Sequence, residues 1–290
     1  MADLRIELYG ELVGHLVGTH RRTFDFVATK GAIEKFGLGS TILSESIPFD
    51  LIASRSRASR RRNPDLPSGG SWRTTCPAAK AAGPLKFDSW IEEFGTTLGL
   101  VIERYDRASD FPRGRIHQED MNQALGASKN EKYQEYGGKV SLKRIAAVLG
   151  RNGDRASVEQ LLKLVTVSQA VGNLDMHGKN ISMIHLQDGS TKIAPAYDVV
   201  PQTHLASDGR MALAINRKYV HAAITFDDLA AEGQSWGVRS AHEIVTTALE
   251  AVDGFVRSET PVEKAYAGLQ DDIAKFTRNL LEGRATGSTA

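Results

Sequence analysis

The sequence predicts an α+β protein in which a small antiparallel β module precedes a larger, mainly helical lobe. Three observations carry that prediction. Between residues 4 and 28, apolar and polar side chains alternate with the period of two expected of half-buried strands. From Ser141 onward the apolar spacing lengthens to that of helices, with residues suited to capping ahead of each run. Between the two regions lies a basic stretch with neither period.

The elements follow in order. Leu4-Arg5-Ile6-Glu7-Leu8 reads as a strand, Tyr9-Gly10-Glu11 as a turn, and Leu12 to Val17 as the return strand. Phe24-Asp25-Phe26-Val27 supplies a third strand, and the module ends near Pro48. Order resumes with Leu98-Gly99-Leu100-Val101-Ile102-Glu103-Arg104-Tyr105, a β-branched run predicted to be a buried strand. Ser141 caps a helix that Gly150 ends, and Ser157 with Gln160 forms a capping box ahead of Leu161, Leu162, Leu164 and Val165. Ile181 to Leu186 and Thr191 to Ala194 form a hairpin around Gln187-Asp188-Gly189. Ser240 with Glu243 opens one late helix, and Thr260-Pro261 with Glu263 opens another. The predicted division is a β module at 1–50, a basic linker or degraded lobe at 51–97, and a helical lobe at 98–290.

Composition narrows the function classes. With 36 basic and 35 acidic residues among 290, the chain is not an arm-type nucleic-acid binder, whose affinity rests on neutralising many phosphates. The single cysteine, Cys76, excludes an intramolecular disulfide and a cysteine-cluster zinc site. No apolar run reaches the roughly 18 residues of a membrane helix, and no signal-peptide core follows Met1. A soluble, cytoplasmic setting with no membrane partner is the expectation. The near-zero balance conceals a patch: residues 51–80 hold seven basic residues against Asp65 alone, in a chain of formal charge +1. A solvated linker is the ordinary reading of such a patch, and its close arginines give non-specific affinity for nucleic acid at most.

The chemistry-bearing run is Val171-Gly172-Asn173-Leu174-Asp175-Met176-His177-Gly178-Lys179-Asn180. Asp175 stands five residues before Asn180, between a helix and a hairpin. Protein kinases place their catalytic base and a metal-binding asparagine at this spacing. The carboxylate must accept a hydrogen bond from a substrate hydroxyl while a neutral carbonyl oxygen nearby reaches a cation on the phosphates. A second metal ligand is then expected after the hairpin, where Asp198 closes Ala194-Pro195-Ala196-Tyr197-Asp198. Singly, each residue is as well suited to a turn or a cap; the joint pattern is what points to chemistry. Zinc held by Asp175, His177 and Asp198 is the competing reading, weakened by the lack of further histidine or cysteine nearby.

These two runs resemble the catalytic and metal motifs of the HipA-type serine/threonine kinases, the toxin kinases of bacterial type II toxin–antitoxin systems. Val101 to Arg107, Ile116 to Ala124 and Lys132 to Gly138 are similar to further stretches of the same family, in the same order. Gly14-His15-Leu16 and Leu43 to Pro48 are similar to its amino-terminal subdomain. The resemblance implies a protein-kinase-like helical C-lobe and transfer of the ATP γ-phosphoryl group to a protein Ser or Thr hydroxyl. It implies Asp175 as catalytic base and Asn180 and Asp198 as Mg²⁺ ligands. It places Glu103, Arg104 and Tyr105 at the adenine and His177, Gly178, Lys179 and Tyr197 along the nucleotide. It also implies a DNA-binding, HipB-like antitoxin as partner, with nucleic acid reached only through it.

A kinase also needs a backbone loop over the phosphates and a strand lysine paired to a helix glutamate. The family carries these between its β module and the hinge, an interval that here is residues 51–97. Ser68 to Ser71 offers a poor phosphate loop, and Lys80 or Lys86 a poorly framed lysine. The alternative expectation is therefore a shortened, catalytically inactive kinase remnant that binds an antitoxin or another protein.

Overall fold

The amino-terminal alternation folds into a meander. Strand β1 (Leu4–Leu8) pairs antiparallel with β2 (Glu11–His20) across the Tyr9-Gly10 turn, and β2 pairs with β3 (Thr23–Ala28). Both turn residues have positive φ, 52° and 84°, so the turn's twist matches that of the strands it joins. Helix α1 (Lys30–Phe36) follows, with the Thr29 hydroxyl accepting from the Ala32 amide. A short β4 (Ser54–Ser56) completes the sheet in the order β1-β2-β3-β4. Leu8, Val13, Phe26 and Ala32 form the small core of this unit. The computed structural model describes residues 4–20, 23–37, 54–56, 82–84, 89–94, 97–111, 114–127, 131, 133–151, 154–259 and 265–289. The expected helix opening at Thr260-Pro261 and most of the basic patch lie outside the described residues, as do Ser68 to Ser71, Lys80 and Lys86.

Strands β5 (Ser89–Phe94) and β6 (Thr97–Ile102) form an antiparallel hairpin. The sequence reading placed no strand at β5, because consecutive Glu92-Glu93 interrupts the alternation there. It also expected β6 to be buried, yet Ile102 is 45% exposed at its end. Next come β7 (His117–Asp120) and the one-turn α2 (Met121–Ala124), which opens with a capping box between Asp120 and Gln123. Helices α3 (Leu142–Gly150) and α4 (Arg155–Val171) lead to the hairpin β8 (Ser182–His185) and β9 (Thr191–Ile193). That hairpin joins β7 in a sheet ordered β7-β8-β9. Strands β10 (Arg210–Ile215) and β11 (Lys218–Val220) precede α5 (Phe226–Ser235), α6 (Ala241–Ser258) and α7 (Leu269–Leu281).

The large core is organised around α4. Leu161, Leu162, Val165, Val167 and Ala170 are all fully buried, so from Leu161 onward the helix is buried on nearly every side and lies inside the lobe. Ile145 of α3, Leu229 of α5, Val245, Leu249 and Val252 of α6, and Ile273 and Leu280 of α7 complete that core and are equally buried. Burying such a side chain contributes about 1.5–3 kcal/mol relative to leaving it in water.

The start of α4 differs from the expected capping box. Asp154 is the N-cap, accepting from the Ser157 amide at 3.2 Å, and Ser157 lies buried in the first turn. The Ser157 hydroxyl donates to the Asp154 carboxylate and accepts from the Ile193 amide at 2.8 Å, tying α4 to β9.

A polar network crosses the core. Gln169 Nε2 donates to the His221 carbonyl at 2.9 Å and to Thr286 Oγ1 at 2.8 Å, while His221 Nε2 donates to the Gln169 carbonyl at 2.8 Å. Burial lowers the His221 pKa below its ordinary 6.5, against the opposing effect of that backbone bond. An unfolded chain therefore takes up this proton before the folded one does. Stability is complete above the unfolded pKa and falls as pH drops from it toward the depressed folded value. Thermal melts from about pH 7.5 to about pH 5 should show Tm falling with acidification, and His221→Gln should flatten that fall while lowering Tm at neutral pH.

Candidate active site

The site is assembled on the segment that leaves α4. Gly172 ends the helix in the left-handed region, φ 75°, with its own N–H and that of Asn173 returning to the Gln169 and Ser168 carbonyls at 3.3 and 2.9 Å. A Cβ at Gly172 would also lie 2.9 Å from the Thr203 side chain, so conformation and space both require glycine. Beyond it the chain is pinned from several directions. The Gln202 side chain accepts from the Leu174 amide at 3.1 Å, the Leu174 carbonyl accepts from Ala212 at 2.9 Å, and Asn173 Oδ1 accepts from the Asp175 amide at 3.1 Å.

Asp175 and Asn180 then face each other across a tight loop closed by a 3-10 turn at Gly178–Asn180. Asn180 Nδ2 donates to the Asp175 carbonyl at 2.9 Å. The Asp175 carboxylate receives the Tyr133 hydroxyl on Oδ1 at 3.1 Å, and Oδ2 lies 3.8 Å from His177 Nε2. Tyr133 belongs to the 132–138 stretch singled out in the sequence but was not named there as a site residue. Its segment is held to the β10–β11 hairpin by the ion pair of Glu135 with Arg210 and by Gln134 Oε1, which accepts from the Ala214 amide at 3.1 Å.

Asp198 completes the group. Its backbone is left-handed, φ 55°, a conformation in which aspartate is tolerated at some cost. Burial raises its pKa above 3.8 and the Asp175 charge adds to the rise, while His177 and Asn180 oppose it. The Asp198 carboxylate and the Asn180 amide oxygen are hard oxygen donors, a set that fits Mg²⁺. Among the described residues, no group of three His, Cys, Asp or Glu side chains could hold a metal ion, which leaves the zinc reading of Asp175, His177 and Asp198 without support.

A hydrogen-bonded chain runs back from this loop toward the β5–β6 side. The Tyr197 hydroxyl donates to the Lys179 carbonyl at 2.6 Å and lies 2.5 Å from Ser182 Oγ; Ser182 Oγ accepts from Gln118 Nε2 at 3.1 Å, and Gln118 Oε1 accepts from Tyr105 at 2.8 Å. Burial pushes the Tyr105 phenol up to about 12 and raises that of Tyr197 as well, so both stay protonated as donors. Of the candidate residues, then, Tyr105, Asp175, His177, Gly178, Lys179, Asn180, Tyr197 and Asp198 are joined in one region. Glu103 and Arg104 are exposed, and Arg104 is turned to Asp106, which it grips through two bonds of 2.6 and 2.5 Å.

An aspartate on a loop beyond a buried helix, an asparagine five residues on and a second aspartate beyond a hairpin define a kinase-like lobe. Residues 74–256, more than half of the sequence, match the HipA-like C-terminal domain, and the chain belongs to that family. It is similar to the Y4mE protein of Sinorhizobium fredii, with 34% identity over 164 residues covering 53% of this chain and 39% of that protein. It is also similar to the serine/threonine-protein kinase toxin HipA of Shewanella oneidensis, with 28% identity over 172 residues covering 54% of this chain and 40% of the toxin. The solved complex of HipA, HipB and operator DNA from the Shewanella oneidensis toxin–antitoxin system contains the same fold. Its TM-score is 0.59 at 23% identity, over 73% of this chain and 54% of that chain. The chain spans about two fifths of the length of the curated relatives it matches. No helix among the described residues is long and apolar enough to cross a membrane.

Gly178 offers a test of the loop's packing. A Cβ there would lie 2.3 Å from Asn122 Oδ1 and 2.9 Å from Val140 Cγ1. Asn122 is buried, and its amide finds no hydrogen-bond partner among the described residues. Neither neighbour can yield into solvent, so Gly178→Ala should lower stability by about 1–3 kcal/mol in urea denaturation.

Proposed function

We propose that this chain carries the catalytic lobe of a HipA-type protein kinase, which transfers the γ-phosphoryl group of ATP to a Ser or Thr hydroxyl of a protein. The observation that supports this best is the grouping of Asp175, Asn180 and Asp198, with the Asn180 amide bonded to the Asp175 carbonyl and both Asp175 and Asn180 close enough to shift the Asp198 carboxyl. In this reading Asn180 and Asp198 hold Mg²⁺, which when bound neutralises charge on the phosphates. Asp175 orients the acceptor hydroxyl and takes its proton as the hydroxyl oxygen bonds to phosphorus and ADP departs. Lys179, on the same turn, offsets charge on the group being transferred. Tyr105 and the chain of bonds from it to Tyr197 hold the nucleotide side of the loop, with Glu103 and Arg104 beside the adenine and His177 and Gly178 beneath the phosphates. A HipB-like, DNA-binding antitoxin is the proposed partner, supported by likeness to a toxin whose solved complex holds one.

A second reading is a non-catalytic remnant that binds a protein partner. It is favoured by residues 51–97, whose Arg, Pro and Ser content offers no readable phosphate loop or strand lysine. Calorimetry with ATP and Mg²⁺ separates the two. Binding that requires Mg²⁺ and is lost in Asp198→Ala supports the kinase reading. No binding at millimolar ATP overturns it for this chain and leaves the remnant. If binding is present, Asp175→Asn should keep it and lose phosphoryl transfer by about 10²–10⁴-fold, the usual worth of a general base. Tyr133→Phe, which removes one hydrogen bond from that carboxylate, should lower kcat by a smaller factor with the KM for ATP unchanged.

A further inference from the structure

Away from the candidate active site, a half-open cavity of about 560 Å³ lies between α3, the start of α4 and the turn joining α5 to α6. It shares no residue with the loop from Asn173 to Asp198. Its floor is apolar: Ala146, Val158 and Val238 are buried, at 5%, 7% and 6% exposure. Trp236 forms a half-buried wall. The indole N–H is already bonded to Glu232 Oε1 at 3.0 Å, so the ring offers the cavity only its apolar surface.

The rim is cationic. Lys143, Arg151, Arg155 and Arg239 line the opening against a single carboxylate, Glu159. Lys143, Arg155 and Arg239 take part in no ion pair among the described residues, although elsewhere on this surface arginines such as Arg210 and Arg257 are paired. Ser240, also on the rim, is the N-cap of the 18-residue α6 yet makes no side-chain bond to its first turn. The amides of that turn add a fixed partial positive charge to the same opening.

We propose that this cavity is a docking site for an acidic peptide segment that places one large apolar side chain on the Ala146–Val158–Val238 floor and carboxylates against Arg155, Arg239 and Lys143. Charge complementarity selects the acidic character, since like charges gathered on one rim repel until an anion joins them. The volume and apolar floor select a side chain: the cavity lies in the range of sites that enclose organic groups, far larger than a phosphate needs. A nucleic-acid strand calls instead for a groove tracking successive phosphates, and this opening is closed on its inner side by helices. Flanking carboxylates fit Arg155 and Arg239 through paired N–H donors, a geometry that favours arginine over lysine at such contacts.

The test uses the full chain and a fluorescein-labelled Asp-Glu-Phe-Glu-Asp peptide, followed by fluorescence anisotropy. Saturable binding is expected, weakened at least about tenfold in the double variant Arg155→Glu/Arg239→Glu. Both substitutions place acids near helix N-termini, where they favour folding, so loss of binding will not reflect loss of structure. A control peptide with Ser for Phe should bind more weakly, and inorganic phosphate should compete only as salt does. The triple variant Arg60→Glu/Arg61→Glu/Arg62→Glu should bind as wild type does. The proposal is overturned if the peptide fails to bind, if the double variant binds it unchanged, if only the triple variant loses it, or if a single-stranded oligonucleotide binds through Arg155 and Arg239 in preference to the peptide.

Discussion

The buried helix α4 is the part on which the candidate site depends. A helix buried on nearly all faces from Leu161 onward cannot shift or rotate without exposing Leu161, Leu162, Val165 or Val167, so its carboxyl end is a fixed point in the lobe. Gly172 converts that fixed point into a fixed direction, because its left-handed backbone sends the chain sharply out of the helix toward Asp175. From there the backbone groups of Leu174 meet Gln202 and Ala212 from other parts of the chain, and those of Asp175 meet Asn173 and Asn180 of the loop itself. Positional precision in Asp175 therefore comes from a rigid anchor and several weak bonds acting together, each worth about 1 kcal/mol.

The electrostatics of the site follow from the same geometry. Holding Asp198 near Asp175 in partial burial is unfavourable for both charges in isolation. The left-handed backbone of Asp198 is a second local cost. Such costs are borne where the surrounding structure over-determines the conformation, and here Asn180, Tyr197 and the β8–β9 hairpin do so. The chain of bonds from Lys179 through Tyr197, Ser182 and Gln118 to Tyr105 extends this rigidity across the sheet toward the end of β6. The amino-terminal sheet touches the same lobe through Tyr9, whose hydroxyl donates to the His185 carbonyl and accepts from the His117 amide at 3.2 Å.

Where reading from sequence diverged from the structure, the reasons are specific. Asp154 and Ser157 both present an oxygen suited to capping, three residues apart, and local pattern cannot choose between them. The choice falls to packing, since the Ser157 hydroxyl is needed inside to accept from Ile193. Strand β10 is buried on both faces from Met211 to Ile215 and so shows no alternation to read.

By itself the sequence determined the α+β class, the three amino-terminal strands, the Ser141 cap, the hairpin around Asp188-Gly189, and the spacing of Asp175, Asn180 and Asp198. These are legible because capping, turn formation and loop spacing are local, set by residues within a few positions of one another. Only the tertiary structure decided that Tyr133 reaches Asp175, that Gln118 and Ser182 connect Tyr105 to Tyr197, that His221 is locked against Gln169, and that cations from α3, α4 and the turn before α6 share one cavity. Each of those depends on side chains brought together from distant parts of the chain by burial of the α4 core, and no local periodicity encodes such a meeting.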